Sequence, residues 1–475
     1  MDLLADNDGN GTRAVVLGGS IAGLFAARVL SDAYDEVVIV DRDVLLGVEG
    51  PRRGCPQGRH INGLLARGQL TMEELFPGIT DEIIADGVPT GDLAGDVRWY
   101  FNGKHLKQRH AGLLCLAATR PLLEKHIRAR TQVIPNITFA EQHEVLGLQT
   151  SAGGAKVTGI RVHRLDNDED EVLRADLVVD ALGRGSRMPV WLEELGYGRV
   201  EEESRKVGVG YVTQHYRLAK DAHFGDVSIN PVASAEAPRG AIFVRTDGDR
   251  IEMTTYGMLG DHPPLETASL REWMKTMAVP DIYDALEGAE ALDEPVAFKF
   301  PTTIRRRYER MSRLPDGLVA TGDAVCCFNP VYAQGMTVAA LGAVTLRSHL
   351  HTGAAPQPRR YFEDLARDVI DAPWDMTKTV DLGFPGVEGE RTLKVRMGQA
   401  FLKRVQLAAT RDGVVTAAYM RAAGLVDRPE AMMRPGFVLR VLWKSWFGGQ
   451  PAPTRASLAR QGVVGRAAHP DAVAD

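Results

Sequence analysis

Apolar positions along this chain follow two rhythms. Near the beginning, RAVVLGG and DEVVIVDRD are short unbroken apolar runs, as in strands buried on both faces, and SIAGLFAARVL between them has the small and apolar spacing of a closely packed helix. This predicts a βαβ opening. The rhythm returns far downstream: ADLVVDALGRGSRMP and LPDGLVATGD each read as a buried strand entering a turn, and MTVAALGAVTLRSHL as a helix that begins near Gly335. From about 200 to 305 the pattern changes. KVGVGYVTQHYRL, GAIFVRTDGDRIEMTTYGML and DEPVAFKFPTT alternate or are rich in β-branched residues, with a hairpin signal at Thr246-Asp247-Gly248, and predict a sheet. Helical spacing dominates from Pro356. The class is α/β, with one domain in two pieces (12–195 and 301–355), a β-sheet domain at 196–300, a helical region at 356–450 and a tail at 451–475 expected to be mobile.

Composition narrows the partners. The 475 residues carry 56 basic and 62 acidic side chains, a formal charge of −6, with no clustered basic patch, so nucleic acid is excluded as an expected partner. The one dense basic stretch, RRRYERMSR at Arg305–Arg313, contains Glu309 and reads as a solvated turn and helix end. No apolar run reaches the roughly 18 to 20 residues of a membrane span, and MDLLADNDGNGT has no basic-then-apolar order, so a cytoplasmic location is expected. FVLRVLWKSWF reads as a docked C-terminal helix rather than a membrane anchor. Cys55, Cys115, Cys326 and Cys327 have no CxxC or ligand spacing and the histidines form no HExxH set, so reduced thiols and no metal site are expected.

Between the first strand and helix lies Gly18-Gly19-Ser20-Ile21-Ala22-Gly23, which meets the dinucleotide fingerprint at its first and third glycines, with Ser20 in the middle place. Open N–H groups at the helix start, with the positive end of its dipole behind them, suit a pyrophosphate. Asp41 stands 18 residues beyond Gly23 at the end of the second strand, where a carboxylate can accept both ribose hydroxyls. The domain is therefore Rossmann-like. A nicotinamide enzyme would continue as unbroken βα units; here the alternation stops after Asp41, at PRRGCPQGRHINGLLARG.

Later pieces complete the site. Arg120 opens the helix TRPLLEKHIRAR and can reach phosphate or ribose. Gly322-Asp323 turns after the strand GLVAT; Asp323 can accept from a ribityl hydroxyl, and the N–H groups around Gly335 and Met336 can stabilise negative charge on a flavin pyrimidine edge. Both features point to FAD.

The assembled pieces GGSIAG, DRD, RRGCPQGRHINGLLARG, LVVDALGRGS, LPDGLVATGDAVCCFNPVYAQGMTVAA and PWDMTKTVDLGFPG resemble the FAD-dependent monooxygenases of the para-hydroxybenzoate hydroxylase fold, and among them the epoxidases of polyether biosynthesis of the monensin and lasalocid type. The resemblance implies that Gly18 to Gly23 hold the pyrophosphate, Asp41 and the adjoining Arg42 the adenosine ribose, and that Arg53, Arg120, Gly322 and Asp323 meet phosphates or ribityl hydroxyls. It further implies Val145 at the adenine, Pro330, Gly335 and Met336 at the isoalloxazine edge, and Arg59 and His60 on a loop near the ring.

Two departures stand out. Leu182 occupies the place of an acid tied to NADPH handling, and Cys326 that of a common histidine. Electrons are thus expected from a separate flavin reductase or from unassisted NAD(P)H contact, with O2 as co-substrate. The expected reaction passes one oxygen atom from a flavin C4a-hydroperoxide to a large apolar natural product, most readily an alkene. Aromatic or polyketide hydroxylation, prenyl-chain reduction without oxygen insertion, and a non-enzymatic redox sensor remain alternatives. A halogenase is disfavoured because no WxWxIP stretch occurs. No catalytic acid-base pair is expected, since the cofactor carries the hard chemistry. Phe243, Tyr256, Phe298 and Phe300 are the candidate substrate wall.

Overall fold

The strand Arg13–Leu17 is buried at every position but its first, as its unbroken apolar run requires, because it lies in the middle of a parallel sheet. The computed structural model describes residues 12–219, 225–248, 250–350 and 356–447. Its five-stranded sheet runs in the order Leu318–Ala320, Leu177–Asp180, Arg13–Leu17, Glu36–Val40 and Ile137–Ala140, with every pairing parallel. Strands far apart in sequence are thus immediate neighbours. The helices Ile21–Leu30 and Gly335–Leu350 pack together beside this sheet, and a three-stranded antiparallel sheet, residues 143–174, caps its side.

A second, nine-stranded sheet is built on the long strand Glu202–Arg217 and its partners Arg250–Gly257 and Val296–Arg306. It also recruits Val97–Phe101, Lys104–His105 and Cys326–Cys327, so it extends beyond the expected 196–300 into both pieces of the other domain. One face of it is covered by the helices Thr267–Met274 and Asp281–Ala285, through Leu270, Met274 and Ile282. The other faces the parallel-sheet domain.

Helices follow from Pro358 to Phe447. The last, Pro435–Phe447, docks through buried Val441 and Ser445 and leaves Leu439, Trp443 and Trp446 exposed. No helix among the described residues is long and apolar enough to cross a membrane. The expected mobile tail, 451–475, lies outside the described residues.

Candidate active site

The first turn is shaped for a close-approaching ligand. Gly18 has φ +98°, and a Cβ there would stand 2.8 Å from the Ala181 carbonyl oxygen; a Cβ on Gly23 would meet the Gly18 carbonyl oxygen at 1.8 Å. No side chain caps the helix Ile21–Leu30, so its first-turn N–H groups stay open to an anion. Asp41 accepts from the Gly19 N–H at 2.7 Å and the Asp43 N–H at 2.8 Å, which fixes its carboxylate at the mouth of the turn; burial raises its pKa. Arg42 is exposed beside it. Val145 sits at a bulge two residues beyond His143, whose N–H donates to the Asp41 carbonyl at 2.9 Å.

Arg120 and Glu124, one helical turn apart, join this turn to the downstream pieces. Arg120 donates to Ser20 Oγ at 2.9 Å, and Ser20 donates to Glu124 at 3.0 Å. Glu124 retains 4 % of its surface yet lies among Arg52, Arg120 and Arg128. Burial pushes its pKa up, but Arg120 and Arg52 carry it below the usual carboxylate value. Arg52 also reaches Asp43 at 3.2 Å. The expected phosphate residue Arg53 is instead exposed, because Arg52 takes the inward place, held there by Glu124 and Asp43.

The late turn closes against the first. A Cβ on Gly322, whose φ is +61°, would lie 2.8 Å from the Ala22 Cβ, and one on Gly335 would lie 3.5 Å from Asp323 Oδ1. Asp323 accepts from Cys327 Sγ at 3.5 Å; burial raises its pKa, against the pull of Arg120, Arg184 and Arg306. Arg306 donates to the carbonyls of Ala324 and Arg184, both at 3.0 Å, and so ties the turn at 183–185 to that at 322–324. Arg305 and Arg306 are buried and Arg307 is paired with Glu203 and Glu309, so the basic stretch is a web of ion pairs rather than a solvated turn. Its acids, Glu202 and Glu203, lie on the opposing strand in register with Arg306 and Arg305.

Pro330 begins a 3-10 turn, Pro330–Tyr332, followed by Gly335 and Met336 at the helix start. The turn is fastened from the C-terminal region: Asp381 accepts from Asn329 Nδ2 at 3.0 Å and from the Tyr332 hydroxyl at 2.8 Å. Leu382 and Phe384 then pack with Val209, Tyr211, Tyr256 and Phe300, with Phe298 and Val331 at the margin.

His60 lies at the junction of the two sheets' domains, and Arg59 beside it is exposed. Its Nδ1 is 2.8 Å from Thr213 Oγ1, which is 2.6 Å from Thr254 Oγ1, and its ring packs edge-on to Tyr211. Burial, with Arg59 and His215 nearby, lowers its pKa to about 4, so it is neutral at pH 7. Three of the four expected wall aromatics share this face. Phe243 does not: its strand parity places it on the opposite face, among Met253, Leu270 and Trp273, where it is core.

Sequence reasoning missed Arg52, Glu124, Arg184 and Arg306, whereas the turn Asp381-Leu382-Gly383-Phe384-Pro385 was expected to close over the pocket side and does fasten the Pro330–Tyr332 turn. The i, i+4, i+8 spacing of Arg120, Glu124 and Arg128 was a legible signal for one charged helix face; nothing local distinguishes Arg52 from Arg53.

Comparison with known proteins gives the chain's relatives, its fold and its family. Protein Rv3254 of Mycobacterium tuberculosis is 30% identical over 426 residues, 87% of this chain and 90% of that protein. The flavoprotein/dehydrogenase of Cytophaga hutchinsonii, 15% identical, superposes with a TM-score of 0.66 over 91% of this chain and 98% of its own. The p-nitrophenol 4-monooxygenase PnpA of Pseudomonas putida DLL-E4, 14% identical, does so with a TM-score of 0.61 over 88% and 99%. Residues 11–355, which contain every turn described above, match the family described as FAD binding domain, and the chain belongs to that family.

Proposed function

We propose that this FAD-binding chain is a monooxygenase that inserts one oxygen atom into a large apolar natural product, with alkene epoxidation as its reaction. The observation that carries this reading is the wall of Val209, Tyr211, Tyr256, Phe298 and Phe300 beside the Pro330–Tyr332 turn, covered by Leu382, Phe384 and Val387. Such a wall suits an apolar substrate held away from water.

FAD, once bound and reduced, supplies the activation of dioxygen. The chain's residues then have four tasks. The turn at 18–23 with Arg120 and Ser20 holds the pyrophosphate, Asp41 the ribose, and Asp323 the ribityl hydroxyls. The helix start at Gly335–Met336 offers N–H groups to the pyrimidine edge. The aromatic wall aims the substrate and excludes water. Leu182, partly buried at the second turn, offers no carboxylate for nicotinamide handling, which supports a separate flavin reductase as electron donor.

The His60–Thr213–Thr254 hydrogen-bond chain favours a second reading, hydroxylation of a phenol whose proton it would carry. Turnover of a polyene and of a phenol under 18O2, with NADPH alone and with a flavin reductase, separates the readings. An 18O-labelled epoxide or its diol supports epoxidation and a labelled phenolic product the alternative. Product without label removes both, and rapid reduction by NADPH alone, faster with substrate, removes the separate reductase.

A further inference from the structure

The face of the nine-stranded sheet that meets His60 is apolar at one end and polar at the other. Register and parity place Thr213, His215, Ser228, Asn230, Glu252 and Thr254 on it, continuing from Tyr211 and Tyr256. Most of this belt is satisfied internally. Thr213 and Thr254 bond each other and His60. Ser228 Oγ donates to Asn230 Oδ1 at 2.7 Å, and His215 Nδ1 is 2.6 Å from Asp293 Oδ2. Glu252 is the exception. It keeps 4 % of its surface, stands between His215 and Val244 on the neighbouring strands, and receives no side-chain hydrogen bond or ion pair from any described residue.

A carboxyl at this burial that has no protein partner keeps bonding capacity for a molecule that reaches it. Burial, with Asp247 and Asp293 nearby and Arg250 only partly offsetting them, pushes its pKa to about 8. At neutral pH it therefore holds its proton and offers both an O–H donor and a carbonyl acceptor. Those two groups match an alcohol, which can accept one hydrogen bond and donate another.

We infer that Glu252 is a substrate-recognition residue that hydrogen-bonds a hydroxyl group carried by the otherwise apolar substrate, while the apolar part lies along Tyr211, Tyr256 and Phe298. This rests on the apolar-substrate reading above and deepens it: the substrate class becomes an apolar chain or ring system bearing an alcohol.

The test uses the full FAD-loaded chain and two probes, farnesol and farnesyl methyl ether, titrated by calorimetry, so that turnover is not needed. The wild-type protein is expected to bind the alcohol about tenfold tighter than the ether, one good hydrogen bond's worth. Glu252→Gln, which retains a donor and an acceptor, keeps that ratio. Glu252→Met, close in volume and apolar, brings it to about one. An unchanged ratio in Glu252→Met, or equal affinities in the wild-type protein, overturns the inference while leaving the apolar-substrate reading intact. Binding of neither probe to the wild-type protein counts against both. Should Glu252→Met fail to fold, Glu252→Leu reads the same ratio, and equal affinities in the wild-type protein still overturn the inference.

Discussion

Glu124 and Glu252 are equally buried, each with 4 % of its surface open, and the molecule treats them in opposite ways. Around Glu124, in the parallel-sheet domain, three arginines and Ser20 satisfy the carboxylate and hold it ionised. Around Glu252, in the large sheet, no described partner is present and the proton stays on. Burial alone therefore says little about what a carboxyl does; the company it keeps decides. A saturated carboxylate organises its neighbours, here the residues that frame the turn at 18–23. An unsaturated one has bonding capacity left for a ligand.

The largest expected effect comes from removing the saturated member. Glu124→Leu leaves Arg52, Arg120 and Arg128 buried around an apolar side chain, and breaking such a cluster costs about 3–5 kcal/mol. Urea unfolding of the FAD-free protein is expected to show that loss in its midpoint, together with weakened FAD binding as Arg120 and Ser20 lose their anchor. An unchanged midpoint would mean that the arginines find other partners and that the cluster is not what fixes the turn.

The two glutamates should also give stability opposite slopes against pH. Glu124 has a folded pKa below its unfolded value of 4.5, so its contribution is present above pH 4.5 and is lost as pH falls through the folded value. Glu252 has a folded pKa of about 8 against the same 4.5, so its protonated form fits the fold and stability is lost as pH rises from 4.5 towards 8. Relative to Glu252→Gln, the wild-type protein should lose up to about 5 kcal/mol across that window, as an order of magnitude. Unfolding free energies of the wild-type, Glu124→Gln and Glu252→Gln proteins between pH 4 and 9 check both signs. Parallel alkaline limbs in the wild-type and Glu252→Gln proteins would show that Glu252 is solvated or paired after all.

How much of this was legible follows from the range of the interactions. The first turn could be read because Gly18, Gly23 and Asp41 act through a local strand-turn-helix geometry, and the late turn because Gly322, Asp323 and Gly335 are similarly contiguous. What escaped depends on contacts across the fold. Nothing within RRRYERMSR shows that Glu202 and Glu203, about 100 residues upstream, oppose its arginines across a strand pair. Phe243 and Tyr256 look alike as strand aromatics, and only register places one against the helix Thr267–Met274 and the other against the cofactor domain. Glu252 drew no attention because an acid in TDGDRIEMTT looks like a hairpin surface position; it is buried in a strand flanked on both sides.

The smallest expected effect sharpens the comparison within a single dipeptide. Arg52 and Arg53 are identical in chemistry and adjacent in sequence, yet Arg52 is buried against Glu124 and Asp43 while Arg53 is exposed. Arg52→Ala removes charge-assisted hydrogen bonds from a buried carboxylate that still has Arg120 and Arg128, a loss of about 2 kcal/mol. Arg53→Ala removes only a solvated side chain and should stay within about 0.5 kcal/mol of the wild-type protein. If FAD affinity tracks the carboxylate cluster, it should weaken in the first variant and change by less than about twofold in the second, a difference under 0.5 kcal/mol. Weakened FAD binding in Arg53→Ala with unchanged unfolding would show instead that the exposed arginine swings onto a phosphate when the cofactor arrives, and would return to Arg53 the role its position in the motif suggests.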